Sequence, residues 1–122
     1  MSYLDQRVYS NGLNVLDTEA NVLHICSSEP ASFGAVAGVS LGTKTGLSIG
    51  AISARSGGGW KVTVASFTDG AVSASGTATH YAIVDTTNSR LLAANSLPSS
   101  QPVTGGNTFT LGAFDIGIPA PV

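Results

Sequence analysis

The segment Thr77-Ala78-Thr79-His80-Tyr81-Ala82-Ile83-Val84-Asp85 constrains the fold more than any other stretch. It is apolar on both faces, with Ala78, Ala82 and Val84 on one and Tyr81 and Ile83 on the other. Such a run suits a central strand, covered on both sides, better than an edge. Upstream, Trp60, Val62 and Val64 alternate with Lys61 and Thr63 in the period of a half-buried strand running to Phe67. Asp69-Gly70 follows as a turn dipeptide. Downstream, Thr86-Thr87-Asn88-Ser89 turns the chain into Arg90-Leu91-Leu92-Ala93-Ala94. A meander is expected across residues 59–98, with 77–85 paired to the strands at 60–67 and 90–96.

The rest of the chain supplies the flanks. Leu4, Val8, Leu13 and Leu16 recur at helical spacing in residues 1–20, and Ser2 is placed to cap that segment. Asn11-Gly12 interrupts it, so either a kinked helix runs through or a short one stops at Ser10. Val22 to Ser27 is a strand, which Ser28-Glu29-Pro30 ends because proline cannot donate to a ladder. Between Ala31 and Gly58 regularity is lost among many glycines, although Leu47, Ile49 and Ala51 alternate as a short edge strand. Leu97 to Pro102 is an extended loop and Gly105-Gly106-Asn107 a turn. The last strand, Thr108 to Ile118, changes the parity of its apolar residues between Ala113 and Phe114, which calls for a β-bulge near Gly112–Phe114. Pro119 to Val122 is an extended tail. The fold class is therefore all-β, an antiparallel sandwich or open barrel with Greek-key-like connections and one short N-terminal helix.

At 122 residues the chain is read as a single domain (1–122), able to bury roughly two thirds of its unfolded surface. Only 10% of its residues are charged, against about 25% in a typical soluble domain. A net charge of −2 gives no basic field for nucleic acid or an anionic membrane. A surface so short of charge is poorly defended against self-association, which points to a homo-oligomer or a larger assembly. The N-terminal residues show no basic segment followed by an apolar core, so no secretory signal is expected. No apolar run approaches the ~20 residues of a membrane-spanning helix. Synthesis in a cytoplasm is expected.

Several strings mimic active sites. Gly46-Leu47-Ser48-Ile49-Gly50 matches a nucleophile elbow, but that motif needs a strand-to-helix turn in an α/β sheet, and this chain shows no βα units. Gly42-Thr43-Lys44-Thr45 resembles the end of a phosphate-binding loop without the glycine beside the lysine or a helix after it. His24 and His80 both fall in strands, and one Cys with two widely spaced His offers no zinc set. Cys26, in Val22-Leu23-His24-Ile25-Cys26, reads as a small buried hydrophobe. Trp60, Tyr81, Phe109 and Phe114 read as core or interface anchors. No catalytic residue, cofactor or metal is expected.

Two blocks resemble a group of small structural proteins of tailed bacteriophages. One is Leu23-His24-Ile25-Cys26-Ser27-Ser28-Glu29-Pro30, a strand ending in a Cys-Ser-x-x-Pro turn. The other runs from Lys61-Val62-Thr63-Val64-Ala65 through Ala74-Ser75-Gly76-Thr77 to Val84-Asp85, then Leu91-Leu92-Ala93, Gly106-Asn107-Thr108-Phe109 and Asp115-Ile116-Gly117-Ile118. Residues 34–58 fit that pattern poorly. The resemblance implies a non-enzymatic virion component, a head decoration (cement) protein on the capsid surface ahead of a tail or fibre-base part. Its expected partners are the major capsid protein and further copies of itself, as a homotrimer or another homo-oligomer. The alternative is a carbohydrate- or receptor-binding module of a tail or fibre. With so few charges, attachment to a shell has to use apolar and backbone contacts. The candidate interface residues are Tyr3, Leu4 and Val8, then Gly38 and Leu41 in the glycine-rich stretch, and Pro119 and Val122 in the tail.

Overall fold

A computed structural model describes residues 5–119. In chain order the elements are α1 (Gln6–Glu19), β1 (Val22–Cys26), α2 (Phe33–Val39), β2 (Ser40–Thr45), β3 (Ser53–Ala54), β4 (Trp60–Val64), β5 (Phe67–Val72), β6 (Gly76–Asp85), β7 (Arg90–Val103), β8 (Thr108–Leu111) and β9 (Phe114–Ile118). The protein is mostly antiparallel β, with two helices rather than the single one expected. The described residues form two compact units, each assembled from separated stretches of chain.

The larger unit holds β1, α2, β2 and β5 to β8, in a curled half-barrel sheet of order β7-β6-β1-β2-β5-β8. Within it, β6-β1-β2-β5 has the 4-1-2-3 order of a Greek key, since β6 returns to lie beside β1. Strand β6 is central, as its two apolar faces require, and Tyr81 to Asp85 are all buried. Its partners are β7 and β1, which corrects the expected pairing with 60–67. The physical reason is side-chain matching. β1 offers Val22, Leu23, Ile25 and Cys26, apolar on both faces like β6, whereas β4 carries Lys61 and Thr63 on one face.

Three further expectations change in this sheet. Asp69-Gly70 lies inside β5, with Gly70 opposite Phe109, and is not a turn. Residues 97–102 belong to β7, an edge strand whose Pro98 and Pro102 have no second neighbour to which a donor would be owed. The stretch from Ala31 is also more regular than its glycines suggest. Phe33, Val36 and Val39 recur every three residues and bring α2 onto Cys26, Ala82 and Val84. That packing offsets Gly34 and Gly38, each costing about 1 kcal/mol in a helix relative to Ala.

The smaller unit holds α1 packed on a three-stranded sheet, β3-β4-β9. Asp5 caps α1, its Oδ1 accepting from the Arg7 amide at 2.8 Å. The helix runs unbroken through Asn11-Gly12, and a Cβ on Gly12 would sit 3.4 Å from Ile118 Cδ1, so glycine there lets helix and sheet approach closely. The buried stripe is Tyr9, Leu13 and Leu16, while Val8 is 53% exposed, so Tyr9 takes the place in the stripe that Val8 is expected to hold. The anticipated cap Ser2 and the stripe residue Leu4 lie outside the described residues.

The long last strand is two strands. β8 pairs with β5 in the larger sheet and β9 with β4 in the smaller, and the chain leaves one ladder for the other at Gly112-Ala113. The parity change therefore marks a change of sheet, not a bulge within one. Of the edge strand read at Leu47 to Ala51, an isolated bridge between Ile49 and Val64 is present, and β3 forms further on, at Ser53–Ala54.

Candidate functional site

The smaller sheet is two-faced by simple alternation. Trp60, Val62 and Val64 of β4 lie opposite Ile118, Ile116 and Phe114 of β9, and Val62 and Val64 are fully buried. The residues between them point the other way: Lys61 opposite Gly117, Thr63 opposite Asp115, and Ser53 of β3 opposite Lys61. On this polar face Asp115 is held at both oxygens. Lys61 Nζ reaches Oδ2 at 2.9 Å and Thr63 Oγ1 donates to Oδ1 at 2.6 Å. The Thr63 hydrogen bond first, and then Lys61, hold the Asp115 carboxyl below the usual range.

Arg55 closes the other side. It follows β3 and opens the turn Ser56-Gly57-Gly58-Gly59, whose three glycines have φ of 87°, 107° and 90°. These are left-handed values that favour glycine. At Gly59 a Cβ would also overlap the Ile118 carbonyl oxygen, so the turn sits tight against the end of β9. Arg55 Nη1 donates to Gly58 O at 3.0 Å, and its aliphatic stem lies over Gly117, where a Cβ would come within 3.0 Å of Cδ. Arg55, Ser56, Lys61, Asp115 and Gly117 line an open depression of about 350 Å³. Two cations and one fixed carboxylate converge there, in a chain with only twelve Asp, Glu, Lys and Arg in all.

Sequence reasoning singled out none of these three charged residues. The alternation of Lys61 and Thr63 was visible, but their partner Asp115 is remote in sequence, and the Arg55 placement depends on a glycine two strands away.

The residues that the sequence did single out have other settings. Ser48 leads into an extended segment, its carbonyl accepting from the Ala65 amide at 2.8 Å, and no helix follows, so the elbow geometry is missing. Lys44 lies within β2, bridged to Asp69 at 2.9 Å and 5.7 Å from the Phe67 ring centroid. His24 Nδ1 is 2.8 Å from Ser40 Oγ, and burial lowers its pKa. His80 Nδ1 is 2.8 Å from Thr79 Oγ1, which also reaches Ser27 O. Burial pushes the Cys26 thiol up to about 11. Among the described residues no three His, Cys, Asp or Glu stand together to hold a metal, and no helix is long and apolar enough to cross a membrane.

Of the interface candidates, Val8, Gly38 and Pro119 are exposed. Leu41 is a correction. It is 8% exposed, in β2 beneath Gly76, so it serves the core. Tyr3, Leu4 and Val122 lie outside the described residues. Comparison with protein-family models, characterised proteins and solved structures gives no match.

Proposed function

We propose that this chain is a non-enzymatic structural protein of a tailed-bacteriophage particle, a decoration protein that binds the major capsid protein on the outside of the head. The observation that carries the reading is the chemistry of the larger sheet's edges. From Leu91 to Phe114 the chain has no Asp, Glu, Lys, Arg or His, and this stretch includes nearly all of β7 and all of β8, the two edge strands. Soluble proteins commonly protect such edges with charge, because unpaired N–H and C=O groups template pairing with another chain. Pro98 and Pro102 blunt the second half of β7, and the half from Leu91 to Leu97 has neither proline nor charge. An edge of this kind is suited to being covered in an assembly. The sequence resemblance to phage structural proteins supports the same reading, and its two blocks fall on β1, β4, β6, β7, β8 and β9.

In this reading copies assemble as homotrimers at local three-fold positions of the shell, because a lattice presents its sites with symmetry. Mass spectrometry of the purified particle tests it. The protein should be present at a copy number comparable to that of the major capsid protein, and absence from the particle would refute it. A second reading, a carbohydrate-binding module of a tail or fibre, is favoured by one observation, the depression formed by Arg55, Lys61 and Asp115.

A further inference from the structure

We propose that this depression is a binding site for a hydroxylated monocarboxylate, a uronic acid residue of a sugar. The inference holds whether the chain sits on a head or on a tail.

The ligand class follows from what the site offers. Arg55 has five N–H donors, and Gly58 O takes one of them, so the guanidinium fork can still present paired donors to a carboxylate. The missing side chain at Gly117 is what lets the Arg55 stem lie down along the wall. Asp115 supplies the opposite chemistry. Lys61 and Thr63 fix its position, each oxygen has acceptor capacity beyond the one bond that it makes, and the side chain is 46% exposed. It can therefore accept from ligand hydroxyls.

Charge narrows the choice. Arg55, Lys61 and Asp115 sum to one positive charge, which matches a monoanion. A phosphate dianion would bring its second charge against a carboxylate that is already ionised. A neutral sugar would be left without its usual support, because Trp60 belongs to the opposite, apolar face of the sheet and, among the described residues, no aromatic ring lines the depression. One carboxylate with hydroxyl groups on adjacent carbons satisfies both ends of the depression at once. A sugar acid has that arrangement, and a pyranose ring fits within about 350 Å³.

The test is an NMR titration of the full chain with sodium glucuronate, beside glucose, acetate and inorganic phosphate as controls. Saturable shifts are expected at residues 53–61 and 114–118, with a Kd on the order of 1 mM. Glucose, acetate and phosphate should each bind at least about tenfold more weakly. Polygalacturonate set beside sodium galacturonate distinguishes the sources of this chemistry: tighter binding of the polymer than of its own monomer assigns a residue within a polysaccharide, and equal binding per residue assigns the free sugar acid. Arg55→Gln removes the charge, while Gly117→Ala keeps every charge but sets a Cβ 3.0 Å from Arg55 Cδ, so that the arginine stem has to shift. Both should weaken glucuronate binding about tenfold with the native spectrum otherwise retained. Equal responses to acetate and glucuronate, tighter binding of phosphate, shifts confined to other residues, or undiminished binding by Arg55→Gln would each overturn the proposal.

Discussion

The ring of Phe109 occupies the space that a side chain would take on Gly70, its cross-strand partner in β5. A Cβ on Gly70 would clash with the ring's Cε1 and Cζ. The same ring limits Gly42 in β2, where a Cβ would meet Cε1 at 3.2 Å and the Ala71 carbonyl oxygen at 2.6 Å. Phe67 completes the setting edge-on, with centroids 5.6 Å apart and an interplanar angle of 77°. Two glycines on neighbouring strands thus form a floor for one fully buried aromatic side chain.

Gly70→Ala should therefore destabilise the protein by about 1–3 kcal/mol, the usual cost of overpacking a core. Denaturant unfolding measures it. If the ring is the cause, Phe109→Leu should relieve part of the penalty, so the double variant should lose less than the two single losses combined. A neutral Gly70→Ala would contradict this account of the position.

This glycine shows what was and was not legible in the sequence. The turn reading of Asp69-Gly70 used local chemistry, and a glycine required by a ring some forty residues away looks the same locally as one required by a turn. The central place of β6 was legible because two apolar faces demand two covered sides. Its pairing with β1 was not, because the intervening stretch holds elements of the other unit. The parity change near Gly112 was real, but alternation cannot distinguish a bulge from a change of sheet. The polar depression needed β3, β4 and β9 in register, and two-residue β3 leaves no periodic trace.

Asp85 ends β6 and is 2% exposed. Its Oδ2 accepts from Asn88 Nδ2 at 2.8 Å, and its Oδ1 accepts from the Thr87 and Asn88 amides at 3.0 and 3.4 Å. The Asn88 side chain first, then these amides and the Arg90 charge, lower its pKa, outweighing the opposing effect of burial. A depressed folded pKa adds stability that is fully present above the unfolded value of about 3.9 and is lost as pH falls through the folded value. Asp85→Asn should be less stable than the parent protein at pH 7, and the gap should close as melts are taken from pH 5 to pH 2. Parallel curves over that range would contradict the role.

His24 gives a second pH window. Burial lowers its pKa, so the unfolded chain binds the proton first as pH falls below about 6.5. Its contribution is full above that value and is lost as pH falls through the folded value. Melting temperatures of the parent and His24→Gln, compared at pH 7.5 and 5.5, should show the larger acid loss in the parent. An equal loss in both would remove His24 as the cause.

Cys26 should be inert in the native state. It is fully buried, and at pH 8 a thiol with a pKa of about 11 is ionised only about one part in a thousand, against roughly a quarter for a free thiol near 8.5. Iodoacetamide at pH 8 should label the folded protein at least ~100-fold more slowly than the denatured chain. Comparable rates would mean that α2 does not cover the site.

The central claim is attachment to a shell through uncharged edges. It is tested by adding purified protein to undecorated particles and counting bound copies at 0.1 M and 1 M salt. The Debye length falls from about 10 Å to about 3 Å between these conditions, which weakens surface ion pairs and leaves apolar and backbone contacts in place. The account predicts nearly equal occupancy at both salt concentrations, over an interface of about 800 Å² per partner, and decorated particles that withstand heat better than bare ones. No binding at either salt, or a loss of affinity of more than about tenfold at 1 M, would contradict it.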